Sequence, residues 1–361
     1  MNGERFSCVT VRRMLEQIRA GLSALDVQAL WVAKPANIRY LTGFTSPSDA
    51  KLLITESAAV LYTDSRYIVQ ANDECRVPHV IARWEEVFAH VKPLVTGKNV
   101  GFEADAVLYS DFNELLQGLG VTLLPMIGIV EALRAIKSAD ELQKMRHAAQ
   151  IADVALEQIL PLVVPGASER DIALELEFQM RRLGADSAAF EIIVASGERG
   201  AMPHGTASHK RINDGELVTI DWGAAIDGYH SDCTRTVAVG QVSDKLLEIY
   251  RTVLEAHRLG VAAVRADAKC FDVDAVARDS IQNAGYGEFF GHSLGHGVGL
   301  NVHEAPSVSF RAKEQRLEAG NVVTVEPGIY VPGIGGVRIE DMVLVTSDGC
   351  ESLTHAPKRS L

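Results

Sequence analysis

Apolar positions recur along this chain with two periods, one helical and one extended. Residues 9–25 place Met14, Ile18 and Leu22 four apart, which predicts an amphipathic helix. Ala29-Leu30-Trp31-Val32-Ala33 is an unbroken apolar run and predicts a buried strand, while 51–55 and 58–63 predict a pair of strands. Further strands are predicted at 80–82, 100–102 and 121–124, with helices at 84–95 and 110–119 between them. That alternation describes an α/β domain. Ser138-Ala139-Asp140-Glu141 is a capping box, and Leu142, Met145, Ala149, Ala152, Leu156 and Ile159 follow at steps of three and four. A long helix is therefore predicted to start at 138 and to end before Pro161. Ser168 is predicted to cap the next helix, which runs through Ile172, Leu176 and Met180 to Leu183-Gly184. Two more helices are predicted at 243–264 and 270–284. The expected division is an α/β domain over 1–137 and a second domain over 138–361.

Between the later helices lie strands of a different kind. Two β-rich runs, Leu217 to Ile226 and Tyr229 to Val237, flank Asp227-Gly228, a strong signal for a two-residue hairpin turn. In that register Ile226 faces Tyr229, Gly223 faces Asp232 and Asp221 faces Thr234. Side chains alternate with period two, so Asp221 and Asp232 become diagonal neighbours on one sheet face. Val323-Thr324-Val325-Glu326-Pro327-Gly328 echoes Val218-Thr219-Ile220-Asp221-Trp222-Gly223, and Arg338-Ile339-Glu340-Asp341-Met342-Val343 takes the part of the returning strand. The pattern predicts an internal duplication, with each half giving a carboxylate at the end of one strand and another on its neighbour. Carboxylates this close must either hold a proton or share a cation. Four of them make a poor stability device and a good cage for two divalent cations.

Composition narrows the reading. With 361 residues, 47% hydrophobic and 23% charged, the chain has the length and balance of a two-domain soluble protein. A net charge of −12 argues against a polyanionic partner such as nucleic acid. The five cysteines lack framework spacing, which fits reduced thiols in a cytoplasm. Met1-Asn2-Gly3-Glu4-Arg5 leads into charged residues without an apolar signal core, and no run approaches a membrane span.

Gly295-His296-Gly297-Val298-Gly299-Leu300-Asn301-Val302-His303-Glu304 adds an imidazole among glycines, where backbone passes close to something. A neutral imidazole suits a first-row metal better than magnesium or calcium. His296 thus becomes the expected fifth ligand beside Asp221, Asp232, Glu326 and Glu340. The bland alternative is that each acid pairs with an arginine. Arg235 and Arg338 are available for that, too few for four acids.

Taken in order, these residues resemble the pita-bread metallopeptidases, in particular the branch of Xaa-Pro dipeptidase (prolidase) and aminopeptidase P. Asn37-Ile38-Arg39-Tyr40-Leu41-Thr42-Gly43-Phe44 and Thr63-Asp64-Ser65-Arg66-Tyr67 look like that family's creatinase/prolidase-type N-terminal domain. Phe190-Glu191-Ile192-Ile193-Val194-Ala195-Ser196-Gly197 and Pro203-His204-Gly205 precede the five ligand positions and His303 in the family's order. Methionine aminopeptidases share the catalytic fold, but the N-terminal domain favours the proline-directed branch.

The resemblance implies an α/β N-terminal domain followed by an α+β pita-bread catalytic domain of two αα/ββ halves. It implies that Asp221 binds one metal, that His296 and Glu326 bind the other, and that Asp232 and Glu340 bridge them. A hydroxide held between the metals attacks the carbonyl before proline, with Glu326 carrying the proton. Manganese is placed first, and cobalt or zinc is tolerated by the same donors. His204 and His303 are expected to donate hydrogen bonds to substrate and oxyanion. Phe190 is expected to wall the proline pocket, His292 to line the proline or carboxylate pocket, and Tyr229 to reach the site from the hairpin turn. Arg338 is expected to hold Glu340, two residues away on the same strand face. A dipeptide's carboxylate calls for a cation, from His292, Arg338, Arg39, Lys51 or Arg66. The expected substrate is a small peptide with proline second, most simply a dipeptide, and the expected assembly a homodimer. Aminopeptidase P action on longer peptides is the first alternative. A creatinase-like metal-free hydrolase and a non-enzymatic binding module come after it.

Overall fold

Strand β1 (Ala29–Val32) is buried along its whole length, with Leu30 and Val32 in one hydrophobic cluster and Ala29 and Trp31 in another. The unbroken apolar run in the sequence is the signature of a strand covered on both faces. This computed structural model describes residues 8–358. Residues 1–5, expected to carry no signal core, lie outside the described residues. β1 pairs antiparallel with β2 (Ala50–Thr55) and parallel with β5 (Asn99–Glu103). With β3 (Ala59–Thr63), β4 (His79–Ile81) and β6 (Thr122–Met126) they form a mixed sheet in the order β4-β3-β2-β1-β5-β6. Helices α1 (Cys8–Ala24) and α2 (Pro35–Thr42) cover one face through Ile18, Leu22, Ile38 and Leu41. On the other face lie α4 (Trp84–Val95) and α5 (Tyr109–Leu119), through Val87, Val91, Leu115 and Leu119. Short helices α2, α3 (Ile68–Glu74) and α6 (Glu131–Ala135) fill connections where no helix was predicted. For α2 the signal was Pro35 in its first turn, with Gly43 closing it.

Between Arg134 and Ala135 the chain divides into two compact units. Near the start of the second lies the capping box. Glu141 N donates to Ser138 Oγ (3.4 Å), and Ser138 N donates back to Glu141 Oε2 (2.9 Å). From this cap run α7 (Ala139–Ile159) and then α8 (Glu169–Arg182), capped by Ser168 as expected. They pack Leu156, Leu176 and Met180 against Val218 and Ile220 of β9 (Glu216–Trp222), which lies between β8 (Ile193–Ser196) and β12 (Cys233–Val239). β10 (Ala224–Ile226) sits between β7 (Ser187–Ala188) and β11 (Tyr229–His230).

The second half of this unit repeats the plan. Helices α9 (Asp244–Ala263) and α10 (Cys270–Asn283) pack on β15 (Val322–Val325) and β18 (Asp341–Val345), through Val253, Ala277, Val325 and Val343. The five-stranded sheet runs β14 (Glu304–Val308), β13 (Gly295–Gly297), β15, β18, β19 (Cys350–Ser352). Next to it, β16 (Gly328–Val331) pairs with β17 (Gly335–Arg338). Two threonines join the halves. Thr236 Oγ1 donates to Arg338 O (2.9 Å) and accepts from Arg338 N (3.2 Å), while Glu340 N donates to Thr234 O (3.1 Å). Among the described residues no helix is long and apolar enough to cross a membrane, and Cys75, Cys233, Cys270 and Cys350 are free thiols.

Trp222 ties the first helix pair to this framework. It is fully buried, and its Nε1 donates to Ala152 O of α7 (2.9 Å). Trp222→Ala is expected to destabilise the protein by about 3–5 kcal/mol, the usual cost of emptying a large aromatic site. Urea unfolding should show the loss as a lower midpoint at unchanged slope.

Candidate metal centre

The hairpin at Asp227-Gly228 forms in the expected register. Ile226 pairs with Tyr229, Ala225 with His230, Trp222 with Cys233 and Asp221 with Thr234. Both turn residues have positive φ, 47° at Asp227 and 74° at Gly228, as a two-residue turn of this hand requires. In the second half Val325 pairs with Asp341 and Gly328 with Arg338, which sets Glu326 opposite Glu340. Each half therefore delivers two acids where its strand pair splays apart, and the threonine seam brings the four together.

His296 enters from β13. Its Nε2 lies 3.2 Å from Glu326 Oε1 and 3.6 Å from Asp232 Oδ2. One ligand atom each of Asp232, His296 and Glu340 fall within 4.8 Å of one another. His296 Nδ1 is 3.0 Å from Gly297 O, which assigns the ring proton to Nδ1 and turns Nε2 toward the acids. Glu326 Oε1 accepts from Thr324 Oγ1 (3.1 Å), and Glu340 Oε2 accepts from Thr234 Oγ1 (2.7 Å).

Electrostatics show what this costs. Burial pushes the Asp232 carboxyl pKa well up, and the charges of Glu340, Asp221 and Glu326 push it further. Burial raises Glu340 in the same way, reinforced by Glu326 and Asp221. For Glu326 burial is outweighed by the hydrogen bond and charge of His296, and its pKa falls to about 2. Burial would lower the His296 pKa, but its bond to Glu326 raises it instead. Asp221 has one carboxylate oxygen, Oδ1, that is buried without a hydrogen-bond partner. An orphaned carboxylate oxygen, two acids that resist ionising and an imidazole nitrogen between them fit a divalent cation, which satisfies all of them at once.

Arg338 does not hold Glu340, contrary to expectation. Its Nη2 donates to Asp221 Oδ2 (2.6 Å) and its Nε to Thr234 Oγ1 (3.0 Å). The contact runs between halves: β17 pairs with β16 but lies across the seam from β9. Arg235 pairs with Asp341 (2.8 Å), a neighbour of the cluster. Among the described residues, no arginine or lysine ion pair reaches Asp232, Glu326 or Glu340.

A cavity of about 800 Å³ opens over the acids, lined by Phe190, His204, His292 and His303 together with the five expected ligands and Arg338. Tyr229 is elsewhere. It is buried, with its hydroxyl donating to Glu141 Oε1 at the start of α7 (3.1 Å), so the hairpin turn faces the helix rather than the cavity. Tyr330 lines the cavity and was missed. Arg338 Nη1 donates to its hydroxyl (3.0 Å), the hydroxyl donates to His292 Nε2 (2.9 Å), and His292 Nδ1 donates to Ser293 O (2.8 Å). A neutral His292 with its proton on Nδ1 lets this chain run in one direction, and burial lowers its pKa. Burial and the nearby His296 charge lower the His303 pKa as well.

The chain is similar to known proteins along nearly its whole length. Residues 143–347 match the profile of Metallopeptidase family M24, and residues 14–136 match the Creatinase/Prolidase N-terminal domain. A protein of Pyrococcus horikoshii named Xaa-Pro dipeptidase is 38% identical, over 96% of this chain and 98% of its own. The structure described as Xaa-Pro dipeptidase from Bacillus anthracis superposes with a TM-score of 0.93 at 44% identity, covering 97% of this chain and 99% of that one. An X-Pro aminopeptidase from Thermotoga maritima gives 0.88 at 37% identity, covering 95% and 98%.

Protons compete with cations here, because Asp232 and Glu340 must be deprotonated to ligate and their pKa values are raised. Divalent-cation affinity of the metal-stripped protein should therefore fall as the pH drops from 8 toward 6, read by calorimetric titration. At a free cation concentration about a hundredfold above its dissociation constant, the protein should gain about 2.7 kcal/mol of stability. Affinity independent of pH, or undiminished in Asp232→Asn, would contradict the assignment.

Proposed function

The chain belongs to metallopeptidase family M24, and from that premise we propose that it is a metal-dependent Xaa-Pro dipeptidase. The carrying observation is the cavity in which Asp221, Asp232, His296, Glu326 and Glu340 lie beneath His204 and His303. We assign the five to two divalent cations, manganese foremost. When bound, such cations polarise a carbonyl oxygen and lower the pKa of water. Glu326, whose carboxylate lines the cavity beside the other acids, is the group we assign to accept the proton of the attacking water. Burial raises the Asp221 pKa, and Arg338 opposes that rise and orients the carboxylate by its charge and its 2.6 Å hydrogen bond.

His303 is kept neutral, and with His204 it offers N–H donors to the carbonyl oxygen as charge builds there. Phe190 gives the proline ring an apolar wall. The scissile bond before proline lacks an amide N–H, so strand-like clamping of substrate is unavailable, and attack from the cation cluster does not need it. The substrate's free amine finds the acidic end of the cavity, which restricts cleavage to the first bond. A homodimer and residence in the cytoplasm belong to the same proposal, by family resemblance and from the reduced cysteines.

Aminopeptidase P action is the second reading, and one observation favours it. Among the cavity-lining residues Arg338 is the sole arginine or lysine, and its guanidinium is committed to Asp221, Thr234, Tyr330 and Pro203 O. His292 is neutral, and Arg66 is taken up by Asp64 and Asp49. A metal-free hydrolase or a binding module does not need the full ligand set that is present.

A panel of Xaa-Pro and Xaa-Pro-Yaa peptides, assayed with each metal added back, decides among these. Dipeptide turnover that exceeds tripeptide turnover and vanishes with chelator supports the proposal. Equal or better tripeptide turnover replaces it with the second reading. His204→Ala and His303→Ala should each lower kcat by about 10²–10³, the usual loss of one oxyanion donor, with bound metal unchanged.

A further inference from the structure

The loop that presents His303 ends at Glu304, the first residue of β14, and Glu304 is fastened from far away in sequence. Its Oε1 lies 2.7 Å from Lys137 Nζ, and the two side chains are only 5% and 1% exposed. Lys137 directly precedes Ser138, the N-cap of α7, and its own amide donates to Gly320 O (2.9 Å). The ammonium is therefore held by backbone on a rigid element. Glu304 Oε2 faces its own loop and accepts from Asn301 N (3.4 Å). Gly299 leaves room for this carboxylate, since a Cβ there would sit 2.4 Å from Oε1. His230, beside Asp232 on the first hairpin, donates its amide to Gly299 O (2.9 Å) and grips the same loop.

A buried ion pair is a weak way to stabilise a fold, because apolar side chains of similar volume do as well or better. It does fix geometry: a partner removed leaves a buried charge, so the loop has one low-energy position. That position matters for one side chain. The His303 ring lies 4.1 Å from the His296 ring, centre to centre, at 45°. The register slip between His296 and Gly297 brings Glu304 opposite Gly297 on the strand that carries His296. Glu304, the histidine ligand and the expected oxyanion donor thus lie within a few residues of each other along β13, β14 and the loop that joins them.

We propose that Lys137 is a positioning residue: through its ion pair with Glu304 it fixes the loop that places His303 over the cation cluster. This rests on the reading of His303 as a donor to the substrate carbonyl. Because Lys137 is the last residue before the α7 cap, the start of α7 is bound to the catalytic loop as well as to the hairpin, the latter through Glu141 and Tyr229.

The test is a double-mutant cycle in the metal-loaded, full-length protein. Lys137→Met should lower kcat for an Xaa-Pro dipeptide by up to about a hundredfold, the scale of a small misplacement of a catalytic group, with KM little changed. In a His303→Ala background the same substitution should have almost no further effect on kcat, because it acts through His303. Lys137→Arg, which keeps the charge, should recover most of the loss. If Lys137→Met does not fold, Glu304→Gln carries the same comparison. An equal fold-loss in both backgrounds, or an unchanged kcat in a folded variant, overturns the proposal. A second readout does not depend on turnover. The imidazole NMR resonances of His303 should move in Lys137→Met, while those of exposed His209 hold. An unmoved His303 sinks the positioning role, whereas failure of the unaltered protein to cleave any Xaa-Pro bond sinks the functional reading instead.

Discussion

Mutual repulsion among buried carboxylates is the constraint around which the catalytic unit is built. Asp221, Asp232, Glu326 and Glu340 occupy one patch of low dielectric, and burial raises the pKa of three of them. A fold that only needed stability would place apolar side chains there. What keeps the acids in place is strand register, and register has one-residue precision because a single slip turns every side chain to the opposite face. Two hairpins with tight registers and a seam of threonine hydrogen bonds leave the carboxylates no way to move apart.

The duplication explains why so few residues suffice. Each half brings a helix pair, a strand ending in an acid and a returning strand carrying another, so one supersecondary solution serves twice. The halves are not equivalent where chemistry differs. Opposite Asp221 stands Thr234, whereas opposite Glu326 stands Glu340, and only the first half receives Arg338 across the seam. Asp221 is thereby paired with a guanidinium while Glu340 is left with a hydroxyl, Thr234 Oγ1. Near-symmetric backbone with asymmetric neighbours gives four acids four environments.

Much of this was legible in sequence, for physical reasons that also mark where legibility stops. The Asp227-Gly228 turn and period-two alternation determine which residues share a face, so the Asp221–Thr234 register followed from local rules. The caps at Ser138 and Ser168 are equally local. Arg338 was placed on Glu340 because the two are close in sequence on one strand, yet its real partner is set by how the two halves meet, which no local pattern encodes. Tyr229 failed in the same way, since a side chain beside a turn has two directions open to it and α7 claimed this one. Tyr330 was invisible because its role depends on Arg338 of β17 and His292 of the segment before β13 arriving from separate parts of the chain. Local periodicity reads the scaffold; tertiary docking assigns the partners.

Three of the four histidines that line the cavity show how completely neighbours decide the behaviour of a side chain. His296 faces Glu326 and Asp232, so a positive charge, whether proton or metal, is welcome at Nε2. For His292, four residues earlier, burial lowers the pKa, and the neutral ring can accept at Nε2 from the Tyr330 hydroxyl. His303 is neutral for another reason, burial plus the charge of His296 beside it. A charged His303 would compete with the cations for the same acids and repel them. A neutral one can donate an N–H without adding charge to a cluster that the cations already balance. The cavity therefore needs its one cation-seeking imidazole flanked by imidazoles that refuse a proton, and the loop that brings His303 close to His296 is part of what makes it refuse.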